Sequence, residues 1–192
     1  MSRYYTERIS VLISGTAILG SVIAMLEISR FLRIPFPLFP TFKFDVVGIP
    51  MVITYFFFGL FPGAGTCFIS LVIISFRNPF SGFMKCAAEL ATIIGAFLVL
   101  RRGDPSTSNK TKFLAIFSSI ILRVTVMAIV NVLLLPVFYH AWYPTSYTVL
   151  AILPFVCSFN LIQGLISIFG GFLVYEAVTQ RLPSLKTSNT KN

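Results

Sequence analysis

Six apolar stretches alternate with short polar or proline-rich segments along the 192 residues of the chain. A transmembrane helix needs about 20 apolar residues to cross roughly 30 Å of hydrocarbon. The alternating ten-residue strands of a membrane barrel are absent from the sequence, so the pattern predicts helices as the spanning elements. The predicted spans are residues 9–28, 46–61, 66–76, 84–100, 113–135 and 148–176.

Two of the connections between these spans have a distinct composition. The second span is followed by the turn Pro62-Gly63-Ala64-Gly65, and the third span after it is short. Residues 27–45 contain Pro35, Pro37 and Pro40, which prevent a regular helix, yet five phenylalanines keep this segment apolar. It is expected either to anchor the chain at the membrane surface or to form a lid over a cavity.

The composition is that of an integral membrane protein. Hydrophobic residues make up 56% of it and charged residues 11%, with a mean hydropathy of +0.89. Soluble domains carry about 25% charged residues, so neither a soluble globule nor a disordered chain fits. The expected fold is a single all-α, multi-pass domain of the cell membrane, followed by a cytoplasmic tail at 177–192.

The chain has a net charge of +9, and the distribution of its basic residues predicts its orientation in the membrane. If the N-terminus is inside, the inner segments hold nine Lys and Arg residues and the outer segments hold five. Cytoplasmic loops are enriched in Lys and Arg, so both termini are expected in the cytoplasm. The same rule accounts for the basic charge without a nucleic-acid partner.

Motifs for chemistry are missing from the sequence. It contains no GxxxxGK[ST] phosphate loop, no HExxH and no GxSxG. The three cysteines lie in apolar runs without a CxxC pair and are expected to be packing residues rather than metal ligands. An enzyme, a metal site and a bound cofactor are therefore not expected.

Several polar side chains lie inside the predicted spans, where they are costly and therefore informative. They are Glu89, Arg123, Asn131, Asn160 and Gln163. Asn160 and Gln163 share one helix face, and Asn131 falls at a similar depth. These amides could form a site for a polar, uncharged or weakly charged ligand entering from outside, or they could join helices by hydrogen bonds. Arg123 is expected to pair with a helix carbonyl or with Glu89.

The first span carries a stripe of small residues. Their spacing of four, three, four and three places them on one helix face, where they allow another helix to approach closely. That helix could be internal or could belong to another protein. The stripe consists of Ser10, Ser14, Ala17, Ser21 and Ala24.

Three sequence segments resemble the S components of energy-coupling factor (ECF) transporters, and among them the riboflavin-binding members most. Residues 44–50, FDVVGIP, followed by Phe58-Gly59 and residues 62–65, are similar to that subfamily's FDxxDIP and FGPxxG. Residues 123–136 are similar to its RxxxMxxxN run before a proline, and residues 159–164, FNLIQG, to its FNLIKG. The resemblance covers roughly residues 44–164.

The resemblance implies an S-component bundle of six helices that captures a vitamin, riboflavin first, from outside. Such a protein docks onto a transmembrane coupling protein carrying two cytoplasmic ATPases. The implied ligand-binding residues are Asn131, Asn160, Gln163, Phe44 and Asp45. The small-residue stripe is the implied docking surface, and residues 31–44 correspond to a loop that closes over the ligand.

The sequence departs from the riboflavin-binding pattern at three places. Gly48 replaces an acidic residue, Gln163 replaces a lysine, and residues 74–78 lack a Lys-Asn pair. Another vitamin or heterocycle on the same scaffold is therefore an alternative ligand. A stand-alone carrier and a membrane enzyme or assembly factor are the alternative functions.

Overall fold

The computed structural model describes residues 2–29, 33–39, 42–100, 108–138 and 146–181. Within these residues the chain forms six helices and one short hairpin. The helices are α1 (Ser2–Ser29), α2 (Gly48–Phe58), α3 (Leu60–Ser75), α4 (Pro79–Leu100), α5 (Asn109–Phe138) and α6 (Ser146–Arg181). The hairpin strands are β1 (Ile34–Pro35) and β2 (Lys43–Phe44).

Four of the helices, α1, α4, α5 and α6, are long and apolar enough to cross a membrane. Helices α2 and α3 are apolar but shorter. The predicted helical membrane fold is thereby confirmed at this level. Helix α6 continues to Arg181, beyond the predicted end at residue 176, and the rest of the predicted tail, residues 182–192, lies outside the described residues.

The helices pack in an order that leaves α1 at one edge of the bundle. Helix α4 lies between α3 and α5, α6 packs against α5 and α2, and α1 packs against α2 and α3. Side chains of α2 such as Met51, Tyr55 and Phe56 form the centre of the core with Ile93 and Ile168. Large apolar side chains cover the outer faces of the long helices, as expected for contact with lipid.

The predicted boundary between the second and third spans is wrong. The chain breaks at Gly59, whose φ of 92° favours glycine, and Pro62-Gly63-Ala64-Gly65 form part of α3 rather than a turn. Pro62 is tolerated because it lies in the first turn of the helix, where its missing N–H would have no partner in any case. Gly63 lets α3 approach α2, since a Cβ there would lie 2.8 Å from the Cβ of Tyr55.

The proline-rich segment forms the hairpin, as its non-helical composition predicts. Its antiparallel strands pair Ile34 with Phe44 and Pro35 with Lys43, and the Phe36 N–H donates to the Phe42 carbonyl at 2.8 Å. Residues 30–32 and 40–41 of this segment lie outside the described residues. The hairpin packs over one end of the bundle, which is the lid arrangement of the two that the sequence allows.

The small-residue stripe of α1 faces away from the bundle. Ser10, Ser14, Ala17 and Ser21 are exposed and Ala24 is half-buried. The inward face of α1 carries Gly20, Ile23 and Glu27, all buried. An internal helix is therefore not what the stripe contacts, which corrects the first of the two explanations given for it.

Candidate ligand-binding site

A cavity of about 620 Å³ lies between the hairpin, α4, α5 and α6. Pockets for small molecules typically measure 300–1,000 Å³ and combine apolar walls with a few convergent polar groups. This cavity has both kinds of wall. The hairpin and Phe159 supply aromatic rings, whereas the buried faces of α5 and α6 supply amides and charged groups.

One face of α5 forms the side of the cavity. Arg123, Met127, Asn131 and Leu135 follow one another at intervals of four residues, so they lie in a row along the helix. All four are buried from the bundle's exterior. Along this row, the charged Arg123 lies deepest in the cavity and the amide of Asn131 lies above it. The apolar Leu135 lies nearest the hairpin end of α5.

The two asparagines predicted to bind ligand line this cavity. The Asn131 amide nitrogen donates to the Met127 carbonyl at 2.7 Å, and the Asn160 amide nitrogen donates to the Val156 carbonyl at 2.9 Å. Both bonds lie within one helix. The side-chain oxygen of Asn131 has no partner among the described residues, so it can accept a hydrogen bond from a ligand.

Gln163 and Asp45 also line the cavity, and they hold each other. The Gln163 amide donates to the Asp45 carbonyl at 2.8 Å, and the Asp45 N–H donates to the Gln163 side-chain oxygen at 3.2 Å. This pair of bonds ties the end of the hairpin to α6. The Asp45 carboxylate accepts from the Val47 N–H at 3.1 Å, which turns the chain into α2.

An aromatic cluster joins the hairpin to α6 through Phe159. Its ring stacks on Phe42 and on Phe44, with centroids 5.0 Å and 5.1 Å apart. Phe39 and Phe42 face the cavity with Phe159. Phe44, which was predicted to bind ligand, is not among the residues that line the cavity. It lies behind Phe159, and its ring packs edge-on against Phe36 with the ring centroids 5.5 Å apart.

The bottom of the cavity is a buried ion pair. Arg123 Nη1 lies 2.9 Å from Glu89 Oε1 and donates to Thr92 at 3.0 Å. The predicted pairing of Arg123 with Glu89 is confirmed. Arg123 Nε also donates to the Asn160 side-chain oxygen at 3.4 Å, so this one side chain connects α4, α5 and α6.

A second group of charges lies at the hairpin end of α1. Glu27 is fully buried, forms an ion pair with Arg33, and lies 2.8 Å from Lys85 Nζ. Lys85 also pairs with Asp45 at 2.5 Å. Lys85 therefore connects the cavity wall to α1, and its pair with Asp45 also holds the hairpin.

Sequence reasoning alone missed Phe159, Lys85 and Glu27 as parts of this region. Phe159 could have been predicted from the sequence, because it directly precedes Asn160 in the FNLIQG motif. Glu27 could also have been predicted, since a carboxylate at the end of an apolar span needs a cationic partner. Lys85 could not have been predicted, because its contacts with Glu27 and Asp45 depend on the tertiary fold.

The geometry can be compared with known proteins. No protein-family model matches the sequence, and no curated protein matches it. Among solved structures, the S component of a bacterial ECF transporter superposes with a TM-score of 0.74 at 19% sequence identity. The match covers 90% of this chain and 98% of the other. The chain has the fold of an ECF transporter S component.

Proposed function

We propose that the protein is the substrate-binding S component of an ECF-type vitamin importer, and that it captures riboflavin or a related heterocycle. The observation that carries this proposal is the 620 Å³ cavity with aromatic and amide walls in a chain of S-component fold. A flat heteroaromatic ring fits such walls, because it can stack on phenylalanine and hydrogen-bond to amides along its edge. The protein binds its ligand without chemical conversion and without a cofactor.

The ligand is proposed to lie between Phe42 and Phe159 on one side and the α5 row on the other. The Asn131 oxygen would accept from a ring N–H, and the Asn160 side chain would hold the ring edge near Arg123. Gln163 and Asp45 would act mainly by keeping the hairpin closed, since their amide and backbone groups already bond to each other.

The proposed topology has six crossings and both termini in the cytoplasm. In this orientation the hairpin and the cavity lie at the outer side, and the Lys- and Arg-rich segment 101–112 lies inside. Helices α2 and α3 would each cross together with their flanking segments, because neither reaches the 20-residue length alone.

The proposed partner is a transmembrane coupling protein with two cytoplasmic ATPases. The chain has no phosphate loop, so energy for release must come from elsewhere. The exposed small residues of α1 offer a surface for close helix contact. The first point supports a separate ATPase partner, and the second supports docking through α1.

A fluorescence titration tests capture directly. Protein purified in detergent is titrated into riboflavin, and flavin emission is followed. We expect saturable quenching at about one flavin per chain, weakened at least tenfold by Asn131→Ala or Asn160→Ala through loss of a buried hydrogen bond. Gln180→Ala, at an exposed position of α6, is the matched control and should bind as the wild type does.

Two outcomes would contradict the proposal. Absence of quenching with a folded protein would exclude riboflavin, and a thermal-shift screen of other vitamins would then test the alternative ligand. Uptake into liposomes by the purified protein alone would instead identify a stand-alone carrier.

A further inference from the structure

A second, smaller cavity of about 180 Å³ opens beside the binding cavity. It lies between the hairpin, the turn after α3 and the start of α4. Asp45, Lys43, Ser81 and Lys85 line both cavities, so the two spaces adjoin each other. A ligand in the larger cavity could therefore extend into the smaller one.

The walls of the smaller cavity are strongly basic. Two cations come from the hairpin, one from the α3–α4 turn and one from α4. They are Arg33, Lys43, Arg77 and Lys85. Apart from Asp45, the remaining described lining consists of uncharged side chains.

The carboxylates nearby do not balance these cations. Glu27 lies behind the cavity and contacts Arg33, Lys85 at 2.8 Å and Arg77 at 3.9 Å. Asp45 contacts Lys85. Among the described residues around this cavity, four cations and two carboxylates leave two positive charges in excess. Lys43 makes no ion pair with any described residue.

Arg33 is the second feature of this cavity that suits an anion. Its Nε atom is buried and has no hydrogen-bond acceptor, although its terminal nitrogen pairs with Glu27. A buried N–H without an acceptor is costly, and arginine is the side chain best suited to phosphate and carboxylate oxygens. An anionic group in this cavity would balance the excess positive charge, and the guanidinium of Arg33 is one of the groups on the wall that can bind it.

We propose that the smaller cavity binds an anionic group, a phosphate or a carboxylate, carried by the ligand whose ring occupies the larger cavity. This inference rests on the proposed capture function and narrows its substrate class. The ligand would be a flat heterocycle with a negatively charged tail rather than a neutral vitamin. Charge-assisted hydrogen bonds to the basic wall would then add to the stacking and amide contacts.

A matched pair of ligands tests the proposal. The affinities of riboflavin and of riboflavin 5′-phosphate are measured for wild type, Lys43→Gln and, as control, Lys110→Gln, which is exposed at the start of α5. We expect wild type and Lys110→Gln to prefer the phosphorylated flavin at least tenfold, and Lys43→Gln to lose most of that preference. The preference should also fall as salt is raised, because part of the basic wall is open to water.

A second measurement separates the anion site from flavin capture. Thermal stability of wild type and Lys43→Gln is compared in inorganic phosphate and in chloride at equal ionic strength. Stabilisation of wild type by phosphate, without binding of either flavin, would support the anion site and reject riboflavin capture. Equal affinity for both flavins, with no effect of phosphate, would overturn the anion site and leave capture intact.

The phosphate of a membrane-lipid headgroup is another anionic group that could occupy this cavity. The stability measurement is therefore repeated in nanodiscs of phosphatidylcholine and of phosphatidylglycerol. Stabilisation that requires phosphatidylglycerol, with none from soluble phosphate or phosphorylated flavin, would assign the cavity to a lipid headgroup and overturn the proposal.

Discussion

The guanidinium of Arg123 on α5 and the carboxylate of Glu89 on α4 form an ion pair at 2.9 Å, and the two side chains are 3% and 1% exposed. A buried pair of this kind is costly to desolvate but even more costly to break, because one partner left alone is an uncompensated charge. The pair also joins the bottom of the cavity to α6 through Asn160.

Removal of Arg123 alone should destabilise the protein strongly. We expect Arg123→Met to lower the free energy of unfolding by about 3 kcal/mol, since Glu89 then stays buried without a cation. The double variant Arg123→Met/Glu89→Gln should recover part of this loss, because neither charge remains. Unfolding titrations in mixed micelles measure both. If the effects of the single variants Arg123→Met and Glu89→Gln simply add in the double variant, the pair is not coupled.

Position 48 should accept only glycine. A Cβ at Gly48 would lie 2.0 Å from the Ser167 hydroxyl oxygen and 2.6 Å from Glu89 Oε2, so Gly48→Ala should cost about 1–3 kcal/mol by overpacking. Gly65→Ala is the matched control, because nothing lies within 4 Å of a Cβ there, and it should be neutral or slightly stabilising. Thermal unfolding of both variants checks this, and equal melting temperatures would contradict it.

Loss of the Gln163 side-chain amide should loosen the hairpin. Two hydrogen bonds to the Asp45 backbone disappear in Gln163→Leu, and at about 1 kcal/mol each they slow local opening by at least tenfold. Hydrogen exchange at residues 42–45 should therefore accelerate by about that factor. Gln180→Leu, on the exposed side of the same helix, should leave the exchange unchanged.

Phe159 should matter more for binding than its partial exposure suggests. Phe159→Ala removes the ring on which Phe42 and Phe44 stack, so the hairpin loses these two aromatic contacts with α6 and a ligand loses part of the cavity wall. We expect riboflavin affinity to fall at least tenfold in the fluorescence titration. Phe169→Ala, 53% exposed on α6, serves as control; a similar loss there would point to a general effect of truncating the helix surface.

A bulky residue in the α1 stripe should block docking without affecting capture. Ala17→Trp fills a surface that close helix contact requires, so recovery of the proposed coupling protein and ATPases by co-purification should fall at least tenfold. Riboflavin affinity should remain that of wild type. Ile121→Trp, on the exposed face of α5, controls for bulk at a lipid-facing site; unchanged recovery with Ala17→Trp would remove α1 from the docking surface.

Hydrophobic length and the position of rare polar residues made the helical membrane fold readable from the sequence. The α5 row was not predicted, although its intervals of four residues define one face of any helix. Asn131, Asn160 and Gln163 indeed line one cavity, and so does Asp45, which only the family resemblance implied. These features follow from local chain geometry and from the cost of polar groups in lipid.

Features that depend on tertiary contacts were not readable in this way. The break at Gly59 replaced the expected turn at 62–65, because a proline is harmless in a first helical turn and a glycine there favours close packing on Tyr55. The exchange of hydrogen bonds between Gln163 and Asp45 joins residues 118 positions apart. Spacing along the chain carries no information about such a pair.

The short length of α3 has a consequence for the surrounding bilayer. Its lipid-facing phenylalanines run from Phe61 to Phe76, about 22 Å along the axis at 1.5 Å per residue, whereas the apolar surface of the neighbouring α1 from Ile9 to Ile28 extends about 28 Å. If α3 crosses the membrane as proposed, a hydrocarbon layer of about 30 Å thins beside it, the bundle tilts towards it, or the segments flanking α3 complete the crossing. In that topology the fit between protein and bilayer depends on acyl-chain length mainly on the α3 side of the molecule.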